Sequence, residues 1–220
     1  MELKVCGMKH GENMIAVAEQ QPDYMGFIFW EPSKRYFEGS MPNLPDTIKK
    51  VGVFVDTPID YVLLKIAEHG LKAVQLHGTE SPEYCNTLKT SKLSHGNVEN
   101  ETSPHAFDII KVFSIKDDFD FSLLEPYETV CDYFLFDTKG KLPGGNGYTF
   151  DWEVLKAYPS TKPYFLSGGI GLKEADKIRD FLQTPASKYC HVIDVNSKFE
   201  LEPGLKNITA LKEFKHRIKN

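Results

Sequence analysis

The stretch 133–152 reads Tyr-Phe-Leu-Phe-Asp-Thr-Lys-Gly-Lys-Leu-Pro-Gly-Gly-Asn-Gly-Tyr-Thr-Phe-Asp-Trp, and its reading decides the fold. It opens as a short apolar run, Tyr133 to Phe136, which suits a buried strand. The run ends on an acid, Asp137. A loop carrying Gly140, Gly144, Gly145 and Gly147 follows, and Asp151 then stands as the N-cap of a helix through Glu153, Val154 and Leu155. A carboxylate at the C-terminal end of a buried strand, beneath a glycine-rich loop, is where an α/β enzyme places its chemistry. Taken alone, Asp137 suits the start of a turn equally well, and the glycines a linker. The neighbouring strands have to decide.

Working outward, the same alternation recurs from end to end. Strands are expected at 3–6, 24–29, 50–55, 73–76, 109–113, 133–136, 164–166 and 191–195. Helical patterns lie between them. Thr57-Pro58 starts one that Gly70 ends, and Ser81-Pro82 opens the next. Leu172, Ala175, Ile178 and Leu182 recur at helical spacing, as do Leu211, Phe214 and Ile218. Strands each followed by a helix imply parallel pairing through crossovers. At 220 residues the leading architecture is a single α/β domain over 1–220, a closed eight-stranded parallel (β/α)8 or TIM barrel. An open doubly wound sheet also satisfies the alternation. The polar, aperiodic segment 94–106 falls between a helix and the next strand, so it reads as a surface insertion on the face away from chemistry. The glycine loop 139–148 follows a strand and belongs to the active face, where it is expected to close over a ligand.

Bulk properties narrow the class. With 26 basic and 31 acidic residues the net charge is -5, which argues against a general nucleic-acid binder. The start Met1-Glu2-Leu3-Lys4 lacks the regions of a signal peptide, and no apolar run is long enough to span a bilayer. Cys6, Cys85, Cys131 and Cys190 are scattered without a C-x-x-C pair. They suit reduced thiols in a cytoplasmic protein rather than a disulfide frame or a zinc site.

Polar groups gather after several strands, which is how a barrel assembles a site. Gly168 and Gly169 follow strand seven and open a helix, so their N–H groups can face an anion, and phosphate is the expected one at that place in a barrel. Asp194 and Ser197 close strand eight, and Ser197 offers a hydroxyl or an N–H. Cys6 ends strand one before Gly7, with Lys4 on the same face by strand period. A nearby ammonium would favour the thiolate, which can serve as base or nucleophile. Asp137 across the mouth would be the complementary acid if burial keeps it protonated. Arg35 offers a planar fork to a carboxylate or phosphate. His77, with no adjacent nucleophile, reads as a supporting group.

These pieces, in this order, resemble the phosphoribosylanthranilate isomerases of tryptophan biosynthesis. The matching stretches are Leu-Lys-Val-Cys-Gly-Met at 3–8, Gly-Phe-Ile-Phe at 26–29, Ser-Lys-Arg-Tyr at 33–36 and Val-Gly-Val-Phe-Val at 51–55. They continue with Val-Gln-Leu-His-Gly at 74–78, Phe-Asp-Thr at 136–138, Gly-Gly-Asn-Gly at 144–147 and Leu-Ser-Gly-Gly-Ile at 166–170. Asp-Val-Asn-Ser at 194–197, Glu200 and Pro203-Gly204 complete the set.

The resemblance implies a barrel without metal or cofactor, acting on a small phosphorylated substrate. It implies a monomer or homodimer, with no nucleic-acid or membrane partner. The implied reaction is the Amadori rearrangement of N-(5'-phosphoribosyl)anthranilate. The residue matching Asp137 would protonate the furanose oxygen and the residue matching Cys6 would remove the C2 proton. Arg35 would approach the anthranilate part, with the phosphate held at Gly168, Gly169 and Ser197. The chain departs from the family pattern at Lys9, Asn146 and Lys198. At Lys198 the family has a glycine, so a backbone there with φ > 0 would be strained. Two other functions compete: the related histidine-pathway isomerisation, against which Cys6 speaks because an aspartate is usual there, and a catalytically silent binder of phosphorylated ligands.

Overall fold

The computed structural model describes residues 1–91, 107–116, 118–138 and 149–219. Eight parallel strands close into a barrel in sequence order: β1 (Glu2–Val5), β2 (Tyr24–Ile28), β3 (Lys49–Phe54), β4 (Ala73–Leu76), β5 (Asp108–Ile115), β6 (Tyr133–Thr138), β7 (Tyr164–Leu166) and β8 (Cys190–Val195). Closure is sealed by β1 against β8, with Lys4 opposite Asp194 and Val5 opposite Val195. That pairing excludes the open doubly wound sheet. All eight expected strands are present.

Strand period two sorts the core into two layers. Inside the barrel, Tyr24, Val51, Ala73, Ile110, Val112, Leu135, Phe165 and Val192 pack together. The alternate residues, among them Leu3, Val5, Phe27, Val74, Ile109, Phe134 and Ile193, face the outer helices. Those helices are α1 (Gly11–Ala18), α2 (Ile59–His69), α3 (Pro82–Thr90), α4 (Ala175–Leu182) and α5 (Ile208–Lys219). Their ends follow the sequence signals. Gly70 closes α2 in the left-handed conformation at φ 60. The Ser81 hydroxyl accepts from Tyr84 N–H at 3.2 Å to cap α3.

The outer ring departs from the expected regularity. Residues 29–48, between β2 and β3, contain no helix, because Pro32, Gly39, Pro42 and Pro45 interrupt any helical run there. After β5 and β6 the connections are the 3₁₀ turns Phe121–Tyr127 and Trp152–Ala157. Asp151 caps the second, accepting from Glu153 N–H at 3.1 Å, so the expected N-cap stands while the helix it opens is 3₁₀. A small antiparallel hairpin, β9 (Glu200–Glu202) and β10 (Leu205–Lys206), follows β8 and was not legible from periodicity. The expected insertion at 94–106 and the glycine loop 139–148 lie outside the described residues.

Candidate active site

The inward-facing positions at the C-terminal ends of the strands line one cleft. Its walls include Cys6, Arg35, Gln75, His77, Asp137, Gly168, Gly169, Asp194, Asn196 and Ser197, so every residue singled out for the site faces the same space. Cys6, Gln75, His77, Asp137 and Asp194 arrive by strand register, and the others on the loops that follow the strands. Cys6 comes one residue after β1, its N–H bonded to Val195 O at 2.8 Å. Room for its sulfur exists because Gly26 on β2 lacks a side chain: a Cβ there would sit 2.7 Å from Sγ. Arg35 is set by a tight turn after β2, where its N–H meets the Ser33 hydroxyl at 3.1 Å and Phe37 N–H returns to Ile28 O at 2.8 Å.

Cys6 is 4% exposed and enclosed by charges. Lys4 Nζ donates to Asp194 Oδ2 and to Gln75 Oε1, each at 2.8 Å. Burial alone would depress the Lys4 ammonium, but Asp194 and Cys6 outweigh it and push its pKa up, so it stays charged. For Cys6 the balance differs from the expectation. Burial raises its pKa, Asp194 adds to the rise, and Lys4 and Lys206 only partly oppose it. The ammonium of Lys4 is already shared with Asp194, so it does not turn Cys6 into a resting thiolate.

Arg35 is likewise engaged. Its Nε and Nη2 form a two-point pair with Glu200, the shortest contact 2.6 Å. The other cation on Glu200 is Lys206, fully buried, with Nζ at 2.6 Å from Glu200 Oε1 and 2.8 Å from Asn196 Oδ1. Glu200 would be raised by burial, but Arg35 and Lys206 hold it below the ordinary carboxylate range. Burial lowers Lys206, with Glu200 pulling the other way. Gly7, at φ +76, passes beneath this cluster, where a Cβ would come within 2.6 Å of Asn196 Oδ1 and 2.8 Å of Arg35 Cδ.

Across the cleft Asp137 is 5% exposed, and its Oδ1 accepts from Thr138 N–H at 3.0 Å. His77 Nε2 lies 3.4 Å from its Oδ2. His77 Nε2 and Asp194 Oδ1 are buried polar atoms without a hydrogen-bond partner among the described residues. Both border the cleft, one suited to donate and the other to accept.

The loop after β7 carries Gly168 at φ +95 and Gly169 at φ +67. A Cβ on Gly168 would collide with Thr138 Oγ1 and its amide N, so backbone and neighbour both demand glycine. Ser197 starts a 3₁₀ turn, Ser197–Phe199, on the facing rim. The strain expected at Lys198 does not arise. Gln21 and Asp56 are the non-glycine residues with positive φ among those described, so Lys198 keeps ordinary backbone and passes 2.9 Å from the Cβ position of Gly171. Lys9 packs against Gly204, which turns the β9–β10 hairpin at φ +89. Among the described residues no His, Cys, Asp and Glu side chains cluster as metal ligands, and no helix is long and apolar enough to cross a membrane.

Sequence reasoning missed Gln75, Asn196 and Lys206. Gln75 was findable, since period two puts it inward on the strand that delivers His77. Lys206 had no local signal, because it follows a Pro-Gly turn that reads as a surface loop.

Comparison with known proteins bears on this arrangement. Residues 3–217 match the family model described as N-(5'phosphoribosyl)anthranilate (PRA) isomerase. The N-(5'-phosphoribosyl)anthranilate isomerase of Phocaeicola vulgatus is 40% identical over 219 residues, covering 100% of this chain and 98% of that protein. The Parabacteroides distasonis enzyme of the same name is 40% identical, covering 99% and 93%. Among solved structures, phosphoribosyl anthranilate isomerase from Thermotoga maritima superposes with a TM-score of 0.79 at 28% identity, covering 100% and 98%. Another phosphoribosyl anthranilate isomerase, solved in complex with reduced 1-(o-carboxyphenylamino)-1-deoxyribulose 5-phosphate, gives 0.74 at 25%, covering 100% and 98%. With residues 3–217 matched by the family model and relatives 40% identical over nearly their full length, the chain belongs to the N-(5'-phosphoribosyl)anthranilate isomerase family.

Proposed function

We propose that residues 1–220 form one catalytic unit that isomerises N-(5'-phosphoribosyl)anthranilate to 1-(2-carboxyphenylamino)-1-deoxyribulose 5-phosphate, with Cys6 as base and Asp137 as acid. The observation that carries this reading is their placement: the two groups line one cleft from different sides of a closed barrel, with the Gly168-Gly169 loop and Ser197 on its rim. A relative solved with the reduced product supports the substrate class.

Asp137 gives its proton to the furanose oxygen, the C1–O bond breaks, and the anilino nitrogen's lone pair closes a C=N bond at C1. The Cys6 thiolate then takes the C2 proton. The electron pair released makes the C1–C2 double bond of an enolamine, and the C=N electrons return to nitrogen. Ketonisation moves the C2 hydroxyl proton out and places one on C1. Both proton transfers are general acid–base steps between positioned groups.

In this scheme the backbone N–H groups after β7 and Ser197 bind the phosphate. Arg35 presents the nitrogen not used by Glu200 to the anthranilate carboxylate. Asp194 offers its unpartnered Oδ1 to the substrate's polar groups, and His77 lines the cleft beside Asp137. Every group named comes from one chain, so a monomer would carry one such site and a homodimer two.

The buried Cys6 thiol must lose its proton before it can take one from C2, and Lys4 and Lys206 are the cations that favour the thiolate so formed. The test is turnover of freshly made phosphoribosylanthranilate, followed as loss of anthranilate fluorescence. Steady loss proportional to enzyme, abolished in Cys6→Ala, is expected. A wild-type protein that binds the product analogue yet turns over nothing would leave a silent binder.

A further inference from the structure

A continuous polar chain crosses the barrel along the wall of the cleft, joining the side that holds Cys6 to the side that holds Asp137. It runs from Asp194 Oδ2 to Lys4 Nζ at 2.8 Å, from Lys4 Nζ to Gln75 Oε1 at 2.8 Å, from Gln75 Nε2 to His77 Nδ1 at 3.2 Å, and ends with His77 Nε2 at 3.4 Å from Asp137 Oδ2. Lys4 and Gln75 interrupt an otherwise apolar barrel interior and are 0% and 2% exposed. Buried polar groups of this kind are kept only where their hydrogen bonds are met.

Every orientation in the chain follows from one fact. An ammonium has donors and no acceptor. Lys4 therefore accepts nothing from Gln75, and the Gln75 oxygen must face it. The Gln75 NH2 group is then the end that faces His77 Nδ1. An NH2 group donates, so Nδ1 accepts through its lone pair. A neutral imidazole with Nδ1 as acceptor carries its proton on Nε2.

We propose that Gln75 is a positioning residue for the reaction: held by Lys4, it fixes His77 as the Nε2–H tautomer, which donates to Asp137 as that carboxyl gives up its proton. This rests on the reading of Asp137 as the acid and extends it to Gln75, a residue of the cleft wall that acts on the acid through His77. At rest His77 Nε2 has no hydrogen-bond partner among the described residues. When Asp137 becomes a carboxylate, the 3.4 Å gap closes to a charge-assisted hydrogen bond. The donor is aimed before the charge develops, which is the condition for it to favour proton release. The opposite tautomer would set Nδ1–H against the Gln75 NH2 and a lone pair against the forming carboxylate.

The experiment is 15N NMR of protein labelled at histidine, with His77 identified by the resonance lost in His77→Gln. Wild-type His77 is expected to show a pyridine-like Nδ1 and a pyrrole-like Nε2. Gln75→Glu, whose carboxylate accepts from both Lys4 and Nδ1–H, should move the proton to Nδ1. It should lower kcat by at least ~10-fold with KM nearly unchanged, since a wrong tautomer disables an otherwise intact acid–base pair. Gln75→Met should lose the tautomer preference. A merely structural glutamine would leave the nitrogen shifts alone. Wild-type protein with its proton on Nδ1 overturns the proposal whether or not any variant folds, and so does a Gln75→Glu enzyme with wild-type kcat. An Asp137→Asn enzyme at full rate, with His77 still Nε2–H, would instead remove the acid assignment and leave the tautomer standing.

Discussion

The two sides of the cleft hold their reacting groups by opposite means. On the Cys6 side the space is filled with paired ions: Lys4 with Asp194, and Glu200 between Arg35 and Lys206. Yet the group they surround is a thiol that burial keeps protonated. On the Asp137 side the partners among the described residues include one amide N–H and one imidazole nitrogen. The ion-paired side holds a neutral group that must become an anion, and the facing side holds a carboxyl that must deliver a proton. The difference teaches where the work lies. A thiolate inside a buried site needs fixed positive charge close by, in arrangements that cannot collapse onto it. An acid that must part with its proton is served by a donor aimed at the carboxylate it becomes.

The largest effects should come from deleting either member of the pair. Cys6→Ala and Asp137→Asn are each expected to lower kcat by at least ~10², the scale of positioned acid–base catalysis, with circular dichroism unchanged. Cys6→Ser should do no better than Cys6→Ala, because a hydroxyl gives no usable base at neutral pH. Near wild-type kcat in Cys6→Ala would erase the contrast between the two sides and leave Cys6 as a small buried hydrophobe.

Next in size is the rim that both sides share. Gly169→Asp puts a carboxylate on a backbone at φ +67 that favours glycine, and aims its charge at the phosphate. KM should rise by about 10-fold or more while kcat changes less, because phosphate binding is made alike in ground and transition states. Inorganic phosphate should protect wild-type protein against thermal unfolding and fail to protect the variant. An unchanged KM would move the phosphate away from this corner.

The contrast between the sides also marks how far the sequence could be read. The eight strands, the order of their terminal residues and the placement of Cys6, His77, Asp137, Gly168, Gly169, Asp194 and Ser197 on one rim all follow from period-two alternation and the turn that ends each strand. Those are local signals. The state of Cys6 was not legible. Reading Lys4 as its activator required knowing that Asp194 does not already hold that ammonium, and the two are 190 residues apart. Lys206 and Glu200 reach the site through a hairpin that periodicity does not reveal. The missing helix after β2 was visible in Pro32, Pro42 and Pro45, but the expectation of a regular ring overrode it. Strand positions are set by neighbours in sequence, whereas the charge balance of a buried group is set by neighbours in space.

The smallest effect separates the role of the buried charges from that of the fold. Lys206 is one of the two cations that oppose the raised pKa of Cys6. The sign follows directly. A raised cysteine pKa means the thiolate is scarce at neutral pH and grows as pH rises, so kcat/KM should climb on the alkaline side of neutrality. Lys206→Met removes positive charge beside the thiolate, raises that pKa further and shifts the climb to higher pH. At neutral pH the loss should be no more than about 10-fold, which corresponds to one pKa unit, because Lys4 remains. The decisive feature is convergence: at alkaline pH, where Cys6 is ionised in both proteins, the two rates should approach each other. Arg35 still holds Glu200 in the variant by its two-point pair, so the hairpin keeps an anchor. A deficit that stays constant across the pH range would mean that Lys206 serves the hairpin and not the thiolate, and the ions around Cys6 would then be scaffolding rather than the source of its basicity.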